Sequence, residues 1–149
     1  MNLNVVEVYS SISGEAPTQG VLTTFVRLAG CNLDCWNGYR GLTGCDTPFK
    51  NRGTTQSVES IVEAVIGLDT SQVLVTGGEP LLQRQGLVLL LTDLLTMRKK
   101  VSVETNGTLP VASVRDDIFQ CLQRRNLPGE LVFVSDVKPP SSGHSKDLD

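Results

Sequence analysis

The sequence predicts an α/β fold in which βα units surround a mostly parallel sheet. Two patterns carry this. Short β-branched runs alternate about four times with longer segments of helical periodicity, and a polar, glycine-rich segment follows the same end of each strand. A chain of 149 residues can build one domain with a real core but not two, so residues 1–149 are expected to form a single unit.

Asn4 to Tyr9 reads as the opening strand. Leu22 to Leu28 is a second, rich in β-branched and aromatic residues, that delivers the chain into a loop bearing cysteines. Ser57 caps a helix running to Gly67, with Ile61, Val62, Val65 and Ile66 on one face. Gln72 to Thr76 is a short buried strand halted by Gly77-Gly78-Glu79-Pro80, and the leucine-rich segment Gln83 to Met97 forms the helix behind it. Val101 to Glu104 is the next strand, ending in Thr105-Asn106-Gly107-Thr108. A helix from Val111 to Arg124 follows and is expected to bury Cys121. Leu131 to Val134 is the last strand, trailed by Lys138-Pro139-Pro140-Ser141-Ser142-Gly143 and a loose polar tail from Ser141 onward.

Charge and hydropathy narrow the function classes. With a net charge of −3, no surface of clustered Lys and Arg for nucleic acid is expected. The one basic run, Arg98-Lys99-Lys100, suits the end of a helix, where the macrodipole favours cations. The longest apolar stretch, Gly86 to Leu91, is far too short to span a membrane, and no secretory signal is visible. A soluble, cytoplasmic protein with neither nucleic acid nor membrane as partner is the expectation.

The chemistry is concentrated in Cys31, Cys35 and Cys45, spaced C-x3-C-x9-C behind the second strand. Three thiolates can hold three corners of an iron–sulfur cube and leave the fourth iron open to a ligand. The alternatives are a zinc site, which prefers four ligands in paired C-x2-C spacings, and a disulfide, which a cytosolic setting disfavours. The only histidine, His144, lies in the polar tail, so no Ser/His/Asp or Cys/His nucleophile is supported. Cys31 to Thr47, Gly77 to Pro80, Glu104 to Thr108 and Asp136 to Gly143 would converge on one sheet edge, where parallel α/β folds bind ligands. Each also has a plain structural reading: Gly77-Gly78 as a strand-to-helix turn, Asn106-Gly107 as a turn dipeptide, Asp136 and Lys138 as a surface pair.

In order along the chain, Ser11-Ile12-Ser13-Gly14-Glu15, the run Phe25 to Cys35, Cys45-Asp46-Thr47, Gly77 to Gln83, Glu104 to Thr108 and Asp136 to Gly143 resemble 7-carboxy-7-deazaguanine synthases. The cysteine loop alone would say only radical S-adenosylmethionine (SAM) enzyme. The resemblance covers nearly the whole chain, with differences at Ser13, Ala16, Gly44 and in the nine residues between Cys35 and Cys45.

What this resemblance implies is an incomplete (βα) barrel of the radical SAM type, shortened at its C-terminus because family members continue well beyond the Lys138-Pro139-Pro140 block. It implies a lyase that converts 6-carboxy-5,6,7,8-tetrahydropterin to 7-carboxy-7-deazaguanine with loss of ammonia, in queuosine and 7-deazapurine biosynthesis. Cys31, Cys35 and Cys45 would ligate a [4Fe–4S] cluster, and Thr47 a magnesium ion. Gly78, Glu79, Glu104, Asn106, Asp136, Lys138 and Ser141 would be SAM-side residues, with Gly78 and Glu79 at the methionine amino group. Glu15 and Arg27 would meet the substrate, the Arg27 fork suiting a carboxylate. A flavodoxin or ferredoxin would supply the electron, and a homodimer would cover the exposed last strand. The competing readings are another radical SAM enzyme, such as a glycyl-radical activating enzyme, and a non-catalytic, truncated or zinc-binding remnant.

Overall fold

The computed structural model describes residues 1–15, 17–35, 45, 52–122 and 129–144. In chain order the elements are β1 (Asn2–Ile12), β2 (Leu22–Leu28), β3 (Thr54–Ser57), α1 (Val58–Gly67), β4 (Gln72–Gly77), α2 (Arg84–Thr96), β5 (Lys100–Thr105), α3 (Val111–Leu122) and β6 (Glu130–Ser135). Single 3-10 turns occupy Pro80–Gln83 and Pro140–Ser142. The strands form one open sheet in the order β3-β1-β2-β4-β5-β6. β2, β4, β5 and β6 run parallel, while β1 is antiparallel to both its neighbours. This is the expected α/β class, as a mixed six-stranded sheet that does not close.

Two features of the first 57 residues depart from the expected pattern. The link between β1 and β2, residues 13–21, is too short to hold a crossover helix, so the two strands pair antiparallel. β3 reads Thr-Thr-Gln-Ser and carries no apolar residue, so hydrophobic patterning is blind to it. It adds to β1 through pairs from Asn2↔Ser57 to Val5↔Thr54, and Ser57 then caps α1 by accepting the Ser60 N–H at 3.2 Å.

All three helices cover one face. Val5, Val26, Val73, Val75, Val101 and Val103 point into that layer and meet Ile61, Val65, Val114 and Ile118 in one core cluster. α2 lies between α1 and α3, with Leu87, Leu90, Leu91 and Leu94 fully buried. Burial of side chains this size is worth about 1.5–3 kcal/mol each, which makes α2 the anchor of the layer. Among the described residues, no helix covers the opposite face. There Arg27, Thr76, Glu104 and Val134 form a row across β2, β4, β5 and β6.

Three local expectations change. Arg98-Lys99-Lys100 is not a helix end: α2 stops at Thr96, Arg98 takes φ 62°, and Lys100 begins β5. Lys99 instead donates to the Thr70 carbonyl. Cys121 lies on α3 but is exposed, because Val114, Ile118 and Leu122 take the inward stripe. Nor is the segment after Pro140 wholly loose. Ser142 is buried and bonds the Pro139 carbonyl, and His144 accepts the Asp34 N–H at 3.2 Å.

Candidate functional site

A cavity of about 320 Å³ opens at the C-terminal ends of the parallel strands. Cys31, Cys35 and Cys45 reach it from the loop after β2, and Gly77 and Gly78 from the end of β4. Glu104 and Asn106 come from the end of β5, Asp136 and Lys138 from beyond β6, and Glu15 from the β1–β2 link. Cys35 is buried, and Cys31 and Cys45 are half-buried. Glu79 and Arg27 do not line this cavity. Ser141 belongs to the turn just past Lys138, and Thr47 lies outside the described residues.

The glycine pair is required by close backbone approach. The Gly78 N–H donates to Leu28 O at 3.2 Å and the Glu79 N–H to Gly30 O at 2.7 Å, pressing the end of β4 against the start of the cysteine loop. A Cβ on Gly78 would stand 2.0 Å from Gly30 O, and one on Gly77, at φ +137°, 2.0 Å from Leu28 O. Directly after the pair, Glu79 turns inward and is completely buried. Its carboxylate accepts from the Leu81 N–H (2.9 Å), the Thr105 hydroxyl (3.0 Å to each oxygen) and the Asn106 N–H (2.7 Å). Glu79 therefore ties the β4 turn to the β5 turn beneath the cavity.

Charge on the cavity wall is arranged differently. Burial pushes the Glu104 carboxyl above the ordinary glutamate value, opposed by the Thr76 hydroxyl bond at 2.7 Å and assisted by the charges of Glu15 and Asp136. Burial would lower the Lys138 pKa, but its 2.7 Å bond to Asp136, with that carboxylate's charge and those of Cys35 and Cys31, raises it. A cation is thus held beside two of the thiols. Arg27, on the uncovered sheet face, is likewise raised: desolvation opposes, and bonds to Tyr9 Oη (3.1 Å) and Glu7 Oε1 (2.9 Å) prevail.

The sequence profile of the radical SAM superfamily matches residues 26–126. The chain belongs to the radical SAM superfamily. It is 36% identical over 147 residues to the 7-carboxy-7-deazaguanine synthase of Methanospirillum hungatei, covering 98% of this chain and 54% of that protein. Against the synthase of Hyperthermus butylicus it is 45% identical over 133 residues, covering 85% and 53%. The crystal structure of QueE from Escherichia coli superposes with a TM-score of 0.60 at 26% identity, over 74% of this chain and 56% of that one. The chain spans about half the length of the curated relatives it matches.

Radical SAM membership implies a [4Fe–4S] cluster and SAM. The donor type fits that cluster: Cys31, Cys35 and Cys45 share one cavity. A cube takes one thiolate per iron, so its ligands surround a volume instead of meeting at a point. Sequence reading missed the residues that organise this site: Glu7 and Tyr9 beside Arg27, Thr76 on Glu104, Thr105 on Glu79, and Asn32 and Thr108 around Asn106. The Val5-Val6-Glu7 stretch hid the first of these, since a register shift between Val5 and Glu7 is what sets Glu7 opposite Arg27.

Proposed function

We propose that this chain acts as a 7-carboxy-7-deazaguanine synthase, converting 6-carboxy-5,6,7,8-tetrahydropterin to 7-carboxy-7-deazaguanine with release of ammonia. The observation that carries this is one cavity shared by three thiols, the bare Gly77–Gly78 backbone and a ring of carboxylates, in a chain with relatives of that name. Cys31, Cys35 and Cys45 would hold the [4Fe–4S] cluster. The bound cluster and SAM supply a one-electron cleavage that starts hydrogen abstraction from the substrate.

The chain's own residues position the reactants. Gly78, on the cavity lining, would meet the methionine amino group, and Glu79 acts one layer below by fixing that turn. Glu104, Asn106, Asp136, Lys138 and Ser141 surround the SAM side. Glu15 and Arg27 take the substrate: among the described residues, two of the five guanidinium N–H donors of Arg27 are engaged, which leaves a fork for a carboxylate. Thr47 would contribute one oxygen to Mg²⁺, whose remaining positions go to water and substrate oxygens. The reductant is a flavodoxin or ferredoxin, the site of action the cytoplasm, and a homodimer would cover the β6 edge of this single domain.

Anaerobic reconstitution with iron and sulfide, followed by turnover with 6-carboxytetrahydropterin and mass analysis of the product, tests the proposal. About four irons per chain and the deazaguanine acid are expected. Tight zinc with no iron would overturn the cluster, and SAM cleavage without that product would move the chain to another radical SAM reaction. Cys45→Ala should lose the cluster completely, as read by iron content and absorption. A full cube in that variant would remove Cys45 from the ligand set.

A further inference from the structure

We propose that Asn106 donates a side-chain hydrogen bond to the Cys31 sulfur and so raises the reduction potential of the cluster that Cys31 would ligate. The inference rests on the cluster reading above. Asn106 is almost fully buried, 5% exposed, and its Nδ2 lies 3.8 Å from Cys31 Sγ.

The orientation of this amide is decided by its neighbours. Its Oδ1 accepts the Thr108 backbone N–H at 3.0 Å, a group that can only donate, so the oxygen must face Thr108 and the NH₂ must face the cysteine loop. A closed ring then forms. Asn106 Nδ2 donates to Asn32 Oδ1 (2.9 Å), Asn32 Nδ2 to Thr108 Oγ1 (2.8 Å), and Thr108 Oγ1 to Asn106 Oδ1 (2.7 Å). One Asn106 N–H goes to Asn32, and the second is left for sulfur. From below, the Asn106 backbone N–H is held by Glu79, so neither end of the residue can shift independently. The Leu33 N–H also reaches Cys31 Sγ, at 3.4 Å, but it is backbone and common to any side chain there.

A donor on a ligating thiolate stabilises the more negative, reduced cluster more than the oxidised one, and burial keeps water from replacing the bond. Asn106 is thus a tuning residue whose readout is a potential.

The test is an anaerobic redox titration of the reconstituted full chain, followed by electron paramagnetic resonance, on the parent, Asn106→Asp, Asn106→Ala and Thr108→Val. With iron and sulfide unchanged, both Asn106 variants should titrate lower by about tenfold in equilibrium constant, about 59 mV for a one-electron couple. Thr108→Val keeps the amide but loses one pin, and should shift less in the same direction. Parent-like potentials in both loaded Asn106 variants would overturn the inference while leaving the cluster reading intact. If those variants hold no cluster, Thr108→Val decides: a lowered potential supports the proposal and an unchanged one overturns it. A parent chain that takes up no cluster sinks both.

Discussion

The floor of the cavity and its inner wall are built from the same residue types and behave as opposites. On the floor, Glu79 is fully buried and accepts from three separate donors, and Asn106 and Thr108 satisfy each other through a closed ring. On the wall, among the described residues, Glu104 accepts from one hydroxyl, and beside the wall, on the uncovered sheet face, Arg27 keeps N–H groups beyond those held by Glu7 and Tyr9. A carboxylate already saturated by the protein has nothing left for a ligand. Saturation therefore separates the residues that hold the site's shape from those able to bind within it, although both sets sit at strand ends within a few positions of each other.

The largest expected effect falls on the floor. Glu79→Ala would strand the Leu81 and Asn106 N–H groups and the Thr105 hydroxyl in a buried place, at about 1–3 kcal/mol for each unsatisfied group. The sum, several kcal/mol, is a large part of the roughly 5–15 kcal/mol that holds an ordinary domain together. Urea unfolding measures it. A loss below about 1 kcal/mol would show the floor to be as pliable as the wall.

Arg27→Lys, on the uncovered sheet face beside the wall, should leave the fold nearly untouched, within about 1 kcal/mol, because its partner Glu7 is 46% exposed. Binding should respond more. An ammonium cannot reproduce the planar fork, so affinity for the carboxylate of the proposed pterin substrate is expected to fall about tenfold or more with SAM affinity unchanged. Equilibrium binding of each ligand distinguishes the two. Equal losses would place Arg27 among the residues that support the whole site.

This division was only partly legible in the sequence. The parallel strands were, because Gln72–Gly77 and Lys100–Thr105 carry β-branched runs buried on the helix face, and so was α1 with its Ser57 cap. The convergence of Cys31, Gly78, Glu104 and Asp136 followed from their common position at strand ends. What periodicity could not tell was which acid faces inward. Glu79 and Glu104 both follow strand residues, and only the tertiary position of Thr105 and the Asn106 N–H captures the first and leaves the second on the wall. β3 was invisible because an edge strand can be stabilised by backbone pairing alone. Cys121 was misplaced because one helix turn holds both inward and outward positions, and the stripe of Val114, Ile118 and Leu122 turns it outward.

Glu104→Gln carries the smallest effect and the most specific signature. Burial raises the Glu104 pKa in the folded chain. A group raised in this way supports the fold fully below its unfolded value and loses that support as pH rises through the folded one. Once ionised, the carboxylate is therefore a burden, sharpened by the charges of Glu15 and Asp136. The substituted amide keeps an acceptor for the Thr76 hydroxyl and removes the charge, so the variant should be more stable than the parent at about pH 8. Solvent screening at this half-buried position holds the gain below about 1 kcal/mol. At about pH 4 the parent carboxyl is mostly neutral and the two melting curves should coincide. A gain of equal size at both pH values would mean that shape, not charge, sets the difference, and the wall would then lose its distinction from the floor at this residue.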